Sequence, residues 1–205
     1  MDILTLLAVG CTAVFVLVGC LWFSGCFVPI SFRQIETDPI YVVYQSCTGP
    51  FRNTYKVLKQ VEALIKTHDV ASDHGFGIFF DNPRTTAESD LKWLAGYVVP
   101  LAAARKIETA KVPGLECGMI EGGTKYGIMD LPMRSILSLL TYIGRVYPYA
   151  EREFPSIQER IEAEGRAEDT LGDGTGIVEH YKRTEMEFWW YGRVVSLPAH
   201  IPTEE

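Results

Sequence analysis

Positive charge is scarce in this chain: 19 Lys and Arg stand against 26 Asp and Glu, a net charge of −7 over 205 residues. A surface that tracks phosphates needs a basic face, so nucleic acid is not expected as a partner. Cysteine is also scarce, five in all, and three of them (Cys11, Cys20, Cys26) fall inside an apolar run. Cys47 and Cys117 alone build neither a disulfide framework nor a Cys-based zinc centre, which agrees with a reducing compartment. Asn53 and Asn82 are the only asparagines, and neither opens an Asn-x-Ser/Thr acceptor. The length leaves room for one domain plus an appendage and none for a large multidomain enzyme.

Charge is missing altogether from Ile3 to Ile30. As a helix this run would extend about 42 Å, more than the roughly 20 residues that cross a bilayer core. A secretory signal begins with a positive region, but only Met1 and Asp2 precede the run. Leu17-Val18-Gly19-Cys20 has the form of a lipoprotein cleavage site, yet the apolar sequence continues through LWFSGCFVPI. The run therefore reads as one N-terminal transmembrane helix closed by Pro29, with Trp22 and Phe23 as interfacial aromatics. Asp2 on one flank against Arg33, Arg52 and Lys56 on the other places the following domain in the cytosol.

The remainder divides into a linker at 31–39, a domain at 40–198 with halves at 40–100 and 117–196, and a short tail at 199–205. Ile40 to Tyr44 is β-branched and aromatic, and Thr48-Gly49-Pro50 turns into a helix marked by Phe51, Tyr55, Leu58, Val61 and Ile65. Two strands follow, Gly75 to Phe80 and Leu91 to Val99. The second half repeats the order: Lys125 to Leu131 as a strand, then a helix with Ile136, Leu139, Leu140, Ile143, Val146 and Tyr147 on one face. A charged stretch from Glu151 to Asp169 reads as a separate solvated helix. Strands at Ile177 to Lys182 and Met186 to Val195 complete the set. The expected class is α+β, a tandem strand-helix-strand-strand repeat with helices on one face of an antiparallel sheet.

Three short motifs stand in order along this frame: Phe79-Phe80-Asp81-Asn82-Pro83, Ile120-Glu121-Gly122-Gly123-Thr124-Lys125-Tyr126, and Glu179-His180-Tyr181. Together they resemble the GyrI-like, or bacterial-effector-binding, domain family over about residues 38–198. The membrane span ahead of the domain, with FFDNP and EHYKRTEMEFWW, is similar to membrane-anchored members of that family that serve as endoplasmic-reticulum-phagy receptors. This resemblance implies a location in the endoplasmic reticulum. Those receptors carry their autophagy-binding motif in a long acidic tail that does not follow the domain here. Tyr191-Gly192-Arg193-Val194 fits the motif but falls in an expected strand, so direct binding of autophagy proteins is doubtful.

The resemblance further implies a groove between the two halves that takes apolar or cationic ligands and holds the Glu of Glu-x-Tyr. Carried over, it points to Glu179 and Tyr181, which alternation puts on one sheet face. Tyr126, Phe80, Trp189 and Trp190 are the expected stacking walls for a small aromatic or cationic ligand. Two other readings stand beside ligand binding. One is an accessory subunit of a membrane complex, packing through Gly10, Thr12, Gly19, Ser24 and Gly25. The other is a hydrolase in which Glu179, its pKa raised in an aromatic pocket, acts as acid or base. No second acid, nucleophile elbow or metal set accompanies it. His68, Asp69, Asp73 and His74 read as a solvated helix end, and Gly172 to Gly176 precedes a strand, unlike a phosphate cradle. No cofactor is expected.

Overall fold

The computed structural model describes residues 2–163, 176–192 and 194–197, and for 154–163 and 190–192 the backbone only. The end of the charged stretch at 164–169, the loop at 171–175, Arg193 and the tail at 199–205 lie outside the described residues.

The apolar run forms α1 (Ile3–Phe23), 21 residues with a mean hydropathy of 2.5 and no buried position. Asp2 caps it, its carboxylate accepting the Thr5 backbone N–H at 2.8 Å, which satisfies one of the donors a helix start leaves open. This helix is long and apolar enough to cross a membrane, a test that an N-terminal signal sequence also meets.

The rest is α+β, built on one curled antiparallel sheet. Its strands are β1 (Arg33–Thr37), β2 (Ile40–Thr48), β3 (Gly75–Phe79), β4 (Lys92–Val98), β5 (Glu116–Ile120), β6 (Gly123–Pro132), β7 (Gly176–Tyr181), β8 (Glu185–Gly192) and β9 (Val194–Val195). Their spatial order is β1-β6-β8-β7-β3-β4-β2-β5-β9. The helices are α2 (Thr54–Lys66), α3 (Leu101–Ala110) and α4 (Ile136–Ala163). Thus β2-α2-β3-β4 and β6-α4-β7-β8 are the two copies of the repeat, and they meet at the centre of the sheet where β3 pairs with β7. Residues 33–37, assigned above to a linker, pair with β6 from Gly123 to Gly127. Residues 136–163 form one continuous helix in place of the two expected from the change in charge density.

Alternation along the strands sorts side chains into two cores. On one face Val43, Tyr97 and Val99 pack with Val61 and Ile65 of α2 and Ala104 and Ile107 of α3. On that same face Ile128, Leu131, Met186 and Phe188 pack with Tyr142, Val146 and Ala150 of α4. Among the described residues the opposite face carries no helix: Val42, Phe76, Ile78, Leu94, Ile120, Val178 and Trp189 fill it, with Ile35 from β1 and Val194 from β9. Side chains from both ends of the sheet meet there, so this face is the inside of the curl. Gly96 in β4 is required by close approach, since a Cβ there would lie 2.0 Å from the Val43 carbonyl oxygen.

Candidate functional site

Glu179 lies in β7 at the seam between the two copies, directly across from Gly77 of β3, while Tyr181 lies across from Gly75. Both point to the helix-covered face. Gly77 is the middle residue of its five-residue strand segment, as Glu179 is of residues 177–181. The seam therefore carries one acid where an exact repeat would carry two. On this face α2 covers β4 and α4 covers β6 and β8, so the β3–β7 seam forms the floor between the helices. Leu58 of α2 leans over Gly75, its Cδ2 3.6 Å from where a Cβ would stand.

Glu179 as a residue is 3% exposed. Its Oε1 accepts the Tyr147 hydroxyl from α4 at 2.5 Å and its Oε2 accepts the Tyr181 hydroxyl at 2.5 Å. Burial pushes the Glu179 carboxyl above its ordinary range, opposed by the two hydroxyl bonds, which favour the ionised form. Burial and the neighbouring carboxylate raise both tyrosine hydroxyls well above the usual phenol range. The site is therefore an acid that water does not reach, whose charge state depends on two phenols from different elements.

The structure brings together only part of the residue set expected from sequence. Glu179 and Tyr181 are in contact. Tyr126 is buried and, by alternation with Ile128, shares their sheet face, but β8 stands between its strand and β7. Phe80 and Trp189 do not join them. Both pack on the inside of the curl, Trp189 with its ring centroid 4.0 Å from that of His180. The physical reason is the two-residue period: Phe80 is one step past Phe79, and Trp189 one step past Phe188, so each faces away from Glu179. Trp190 pairs with Tyr126 through its backbone, and its side chain lies outside the described residues.

Two neighbours of Glu179 were missed. Tyr147 looks like one more apolar position on its helix; the available signal was a phenol two turns into a buried face, where a hydroxyl needs a partner. Phe79, the neighbour of the expected Phe80, is the aromatic ring that lies beside Gly77 on the Glu179 face. A Cβ on Gly77 would touch its ring at 3.0 Å, and that ring stacks with Trp93 at 6.4 Å and meets Phe51 edge-on at 4.8 Å.

On the inside of the curl, His180 is buried and shares a hydrogen bond of 2.9 Å between its Nδ1 and His74 Nε2, while its own Nε2 has no partner. Burial lowers the pKa of both rings, which leaves them neutral. Asp130, Glu185 and Glu187 offer oxygens within 4.8 Å of one another. Arg33 bridges Asp130 at 3.0 Å and Lys182 pairs with Glu187, so charge at this cluster is partly balanced from within the chain. Of the His68–His74 loop, His74 is committed to His180, and the Asp69 carboxylate lies 3.7 Å from Lys106 Nζ.

Fold and site together define a tandem-repeat α+β domain with one buried, tyrosine-capped acid at its seam. No family model matches the chain, and no curated protein matches it. Among solved structures it is similar to the EcmrR–DNA complex in EcmrR-RPo, with 10% identity, a TM-score of 0.49, and coverage of 94% of this chain and 69% of that one. It is also similar to the EcmrR C-terminal domain, with 11% identity, a TM-score of 0.46, and 82% and 99% covered. A hydrolase from Listeria innocua aligns with 10% identity, a TM-score of 0.43, and 82% and 94% covered. What those proteins bind or cleave stays with them.

Proposed function

We propose that the chain is a membrane-anchored ligand-binding module of the GyrI-like type. In this reading Glu179 receives a flat aromatic or cationic ligand between α2 and α4. The observation that carries it is the buried carboxylate at the seam, held by Tyr147 and Tyr181 and facing Gly77 instead of a second side chain. A lone acid that is solvent-free and backed by an aromatic cluster suits a cation with an apolar body. It suits acid–base hydrolysis less well, because the equivalent position in the other repeat is glycine.

The anchor is α1, with the domain on the cytosolic side. Support comes from charge: beyond Arg33, Arg134 reaches the Trp22 carbonyl at the end of α1 and Arg145 the Gly25 carbonyl just past it, whereas only Asp2 flanks the other end. Residence in the endoplasmic reticulum, with a role related to its turnover, rests on the resemblance of the motifs quoted above.

The test is thermal unfolding of the full chain in lipid nanodiscs against a panel of aromatic and cationic compounds, with Glu179→Ala alongside. A ligand at ~100-fold excess over its Kd stabilises by about 2.7 kcal/mol. Stabilisation lost in Glu179→Ala is the expected result. If no compound shifts the wild type, ligand binding is refuted, and co-migration with a larger membrane assembly would then favour the accessory-subunit reading.

A further inference from the structure

An apolar surface outside the span remains uncovered. Apart from α1, large hydrophobic side chains exposed among the described residues are Phe27, Tyr55, Ile136, Leu137 and Leu140. Three of these five share one face of the first turns of α4, 70%, 49% and 60% exposed for Ile136, Leu137 and Leu140. At two of them sequence periodicity and structure diverge: Ile136 and Leu140 fit the buried stripe by spacing, yet they face away from the sheet while Leu139 and Tyr142 pack against it. The exposed face continues through Gly144 and Pro148, uncharged until Glu151. A patch of this kind marks an interaction site, because solvated helix faces carry charge.

The position of the patch identifies what covers it. Arg134, two residues before Ile136, holds its guanidinium 5.0 Å from the Trp22 ring and 5.9 Å from the Phe23 ring at the end of α1. Arg145 donates to the Gly25 carbonyl at 2.6 Å and to the Val28 carbonyl at 2.7 Å. Gly25, at φ +85°, leaves no room for a side chain: a Cβ would stand 2.1 Å from the Tyr142 hydroxyl oxygen. Val28, Ile30 and Phe32 then pack into the α4 core. The segment leaving the span is thus fixed to α4 at several points and is not a free tether. α4 starts at Ile136, two residues after Arg134, and Ile136 to Leu140 spans about 6 Å of helix. The three exposed side chains therefore lie on the turn next to the Arg134 contact with Trp22 and Phe23, the level at which an interfacial helix lays its apolar face into the headgroup boundary.

We propose that the outer face of the first turns of α4, through Ile136, Leu137 and Leu140, lies in the interfacial layer of the bilayer that α1 enters. The domain then rests on the membrane in one orientation, with Arg134 at headgroup level beside Trp22 and Phe23. This inference rests on the reading of α1 as a membrane anchor. It commits to lipid as the occupant, because the patch is continuous with the end of the span and a soluble partner would have to share that layer.

The experiment uses the full chain in nanodiscs of phosphatidylcholine or of its acyl-chain-brominated analogue, comparing Leu140→Trp with Tyr55→Trp. Quenching of the native tryptophans by bromolipid reports Trp22 and hence the anchor. The expected result is that emission added by Leu140→Trp is blue-shifted and quenched, whereas emission added by Tyr55→Trp is neither. Native quenching without quenching of the added Leu140→Trp emission would overturn the proposal and leave the anchor standing; a dimer by light scattering in that case would assign the face to a second copy. Absence of native quenching as well would overturn both. Leu140→Ser provides a second reading: the exposed site predicts unchanged unfolding in detergent, and a large loss there would show that Leu140 belongs to the folded core, also overturning the proposal.

Discussion

Removing the Tyr147 hydroxyl tests the site more sharply than removing the acid. Tyr147→Phe keeps the ring that meets Phe188 edge-on at 6.0 Å and deletes only the donor to Glu179 Oε1. A hydrogen bond to a charged group contributes about 1.5–3 kcal/mol, and the buried oxygen left behind has no water to replace it. For a chain of this size each kcal/mol shifts Tm by about 2–4 °C, so the expected loss is roughly 3–12 °C. The pH dependence follows from sign. Burial holds the Glu179 pKa above its unfolded value, so the folded state binds the extra proton, and the contribution of this group is fully present below the unfolded pKa. It is lost as pH rises through the folded pKa. Tyr147→Phe removes a bond that favours the ionised form, so the folded pKa climbs further and the cost of the substitution is larger at pH 8 than at pH 5. Glu179→Gln removes the titration and flattens the profile. Circular dichroism melts in detergent at both pH values, with Tyr55→Phe as an exposed control, measure all of this. A Tyr147→Phe melt indistinguishable from wild type at pH 8, or additivity with Glu179→Gln, would refute the coupled site.

Three further outcomes follow from the same geometry. Gly96→Ala places a Cβ 2.0 Å from the Val43 carbonyl at the centre of the sheet; a loss on the order of 4 kcal/mol or more is expected, read as failure to recover folded protein. If a cationic ligand binds, Glu179 must give up any proton it holds, so affinity rises with pH and titration calorimetry in buffers of different ionisation enthalpy shows proton release. Trp189→Ala empties a buried site on the inside of the curl and costs about 3–5 kcal/mol, yet leaves ligand affinity in the surviving folded fraction unchanged, because it faces away from Glu179.

The repeat was legible because its signals are strong: apolar strands of five residues or more, turns at Gly49-Pro50 and Gly122-Gly123, and helical periodicity in between. Elements whose signal is weak or mixed were not. β1 reads RQIET, with one apolar residue in five, and it is a strand because β6 offers an unpaired edge. In α3, Ala104 and Ile107 are the only buried residues, too sparse a stripe to stand out after Pro100. For α4, the rise in charge after Ala150 suggested a break, but charge on a solvated face does not end a helix whose backbone bonds continue, and the helix runs unbroken to Ala163. Glu179 and Tyr181 came from the resemblance of Glu179-His180-Tyr181 to a Glu-x-Tyr strand, and a two-residue period is all their contact needs. Tyr147 comes from another element and Phe79 depends on one step of register, and neither tertiary fact is written locally. The same one-step uncertainty sent Phe80 and Trp189 to the wrong face.

One helix serves both ends of the molecule. Tyr142 and Arg145 hold the exit of α1, and Tyr147, two residues beyond Arg145, holds Glu179. A ligand that reaches the acid must displace the Tyr147 hydroxyl, either by shifting α4 or by turning the side chain. Shifting α4 breaks both Arg145 hydrogen bonds, to Gly25 and Val28, at roughly 1.5–3 kcal/mol each. It also disturbs the close fit of Tyr142 over Gly25, where no Cβ would fit. Turning the tyrosine costs the one bond to Glu179, which a cation replaces, and about 0.5–1.5 kcal/mol if the new rotamer is imperfect. The side-chain route is cheaper by at least one hydrogen bond, so a ligand bound at Glu179 in the proposed way would leave the junction with α1 intact. Limited proteolysis of the nanodisc-bound protein checks this: residues 24–32 should be equally protected with and without ligand, and a ligand-dependent cut there would show that α4 moves as a body.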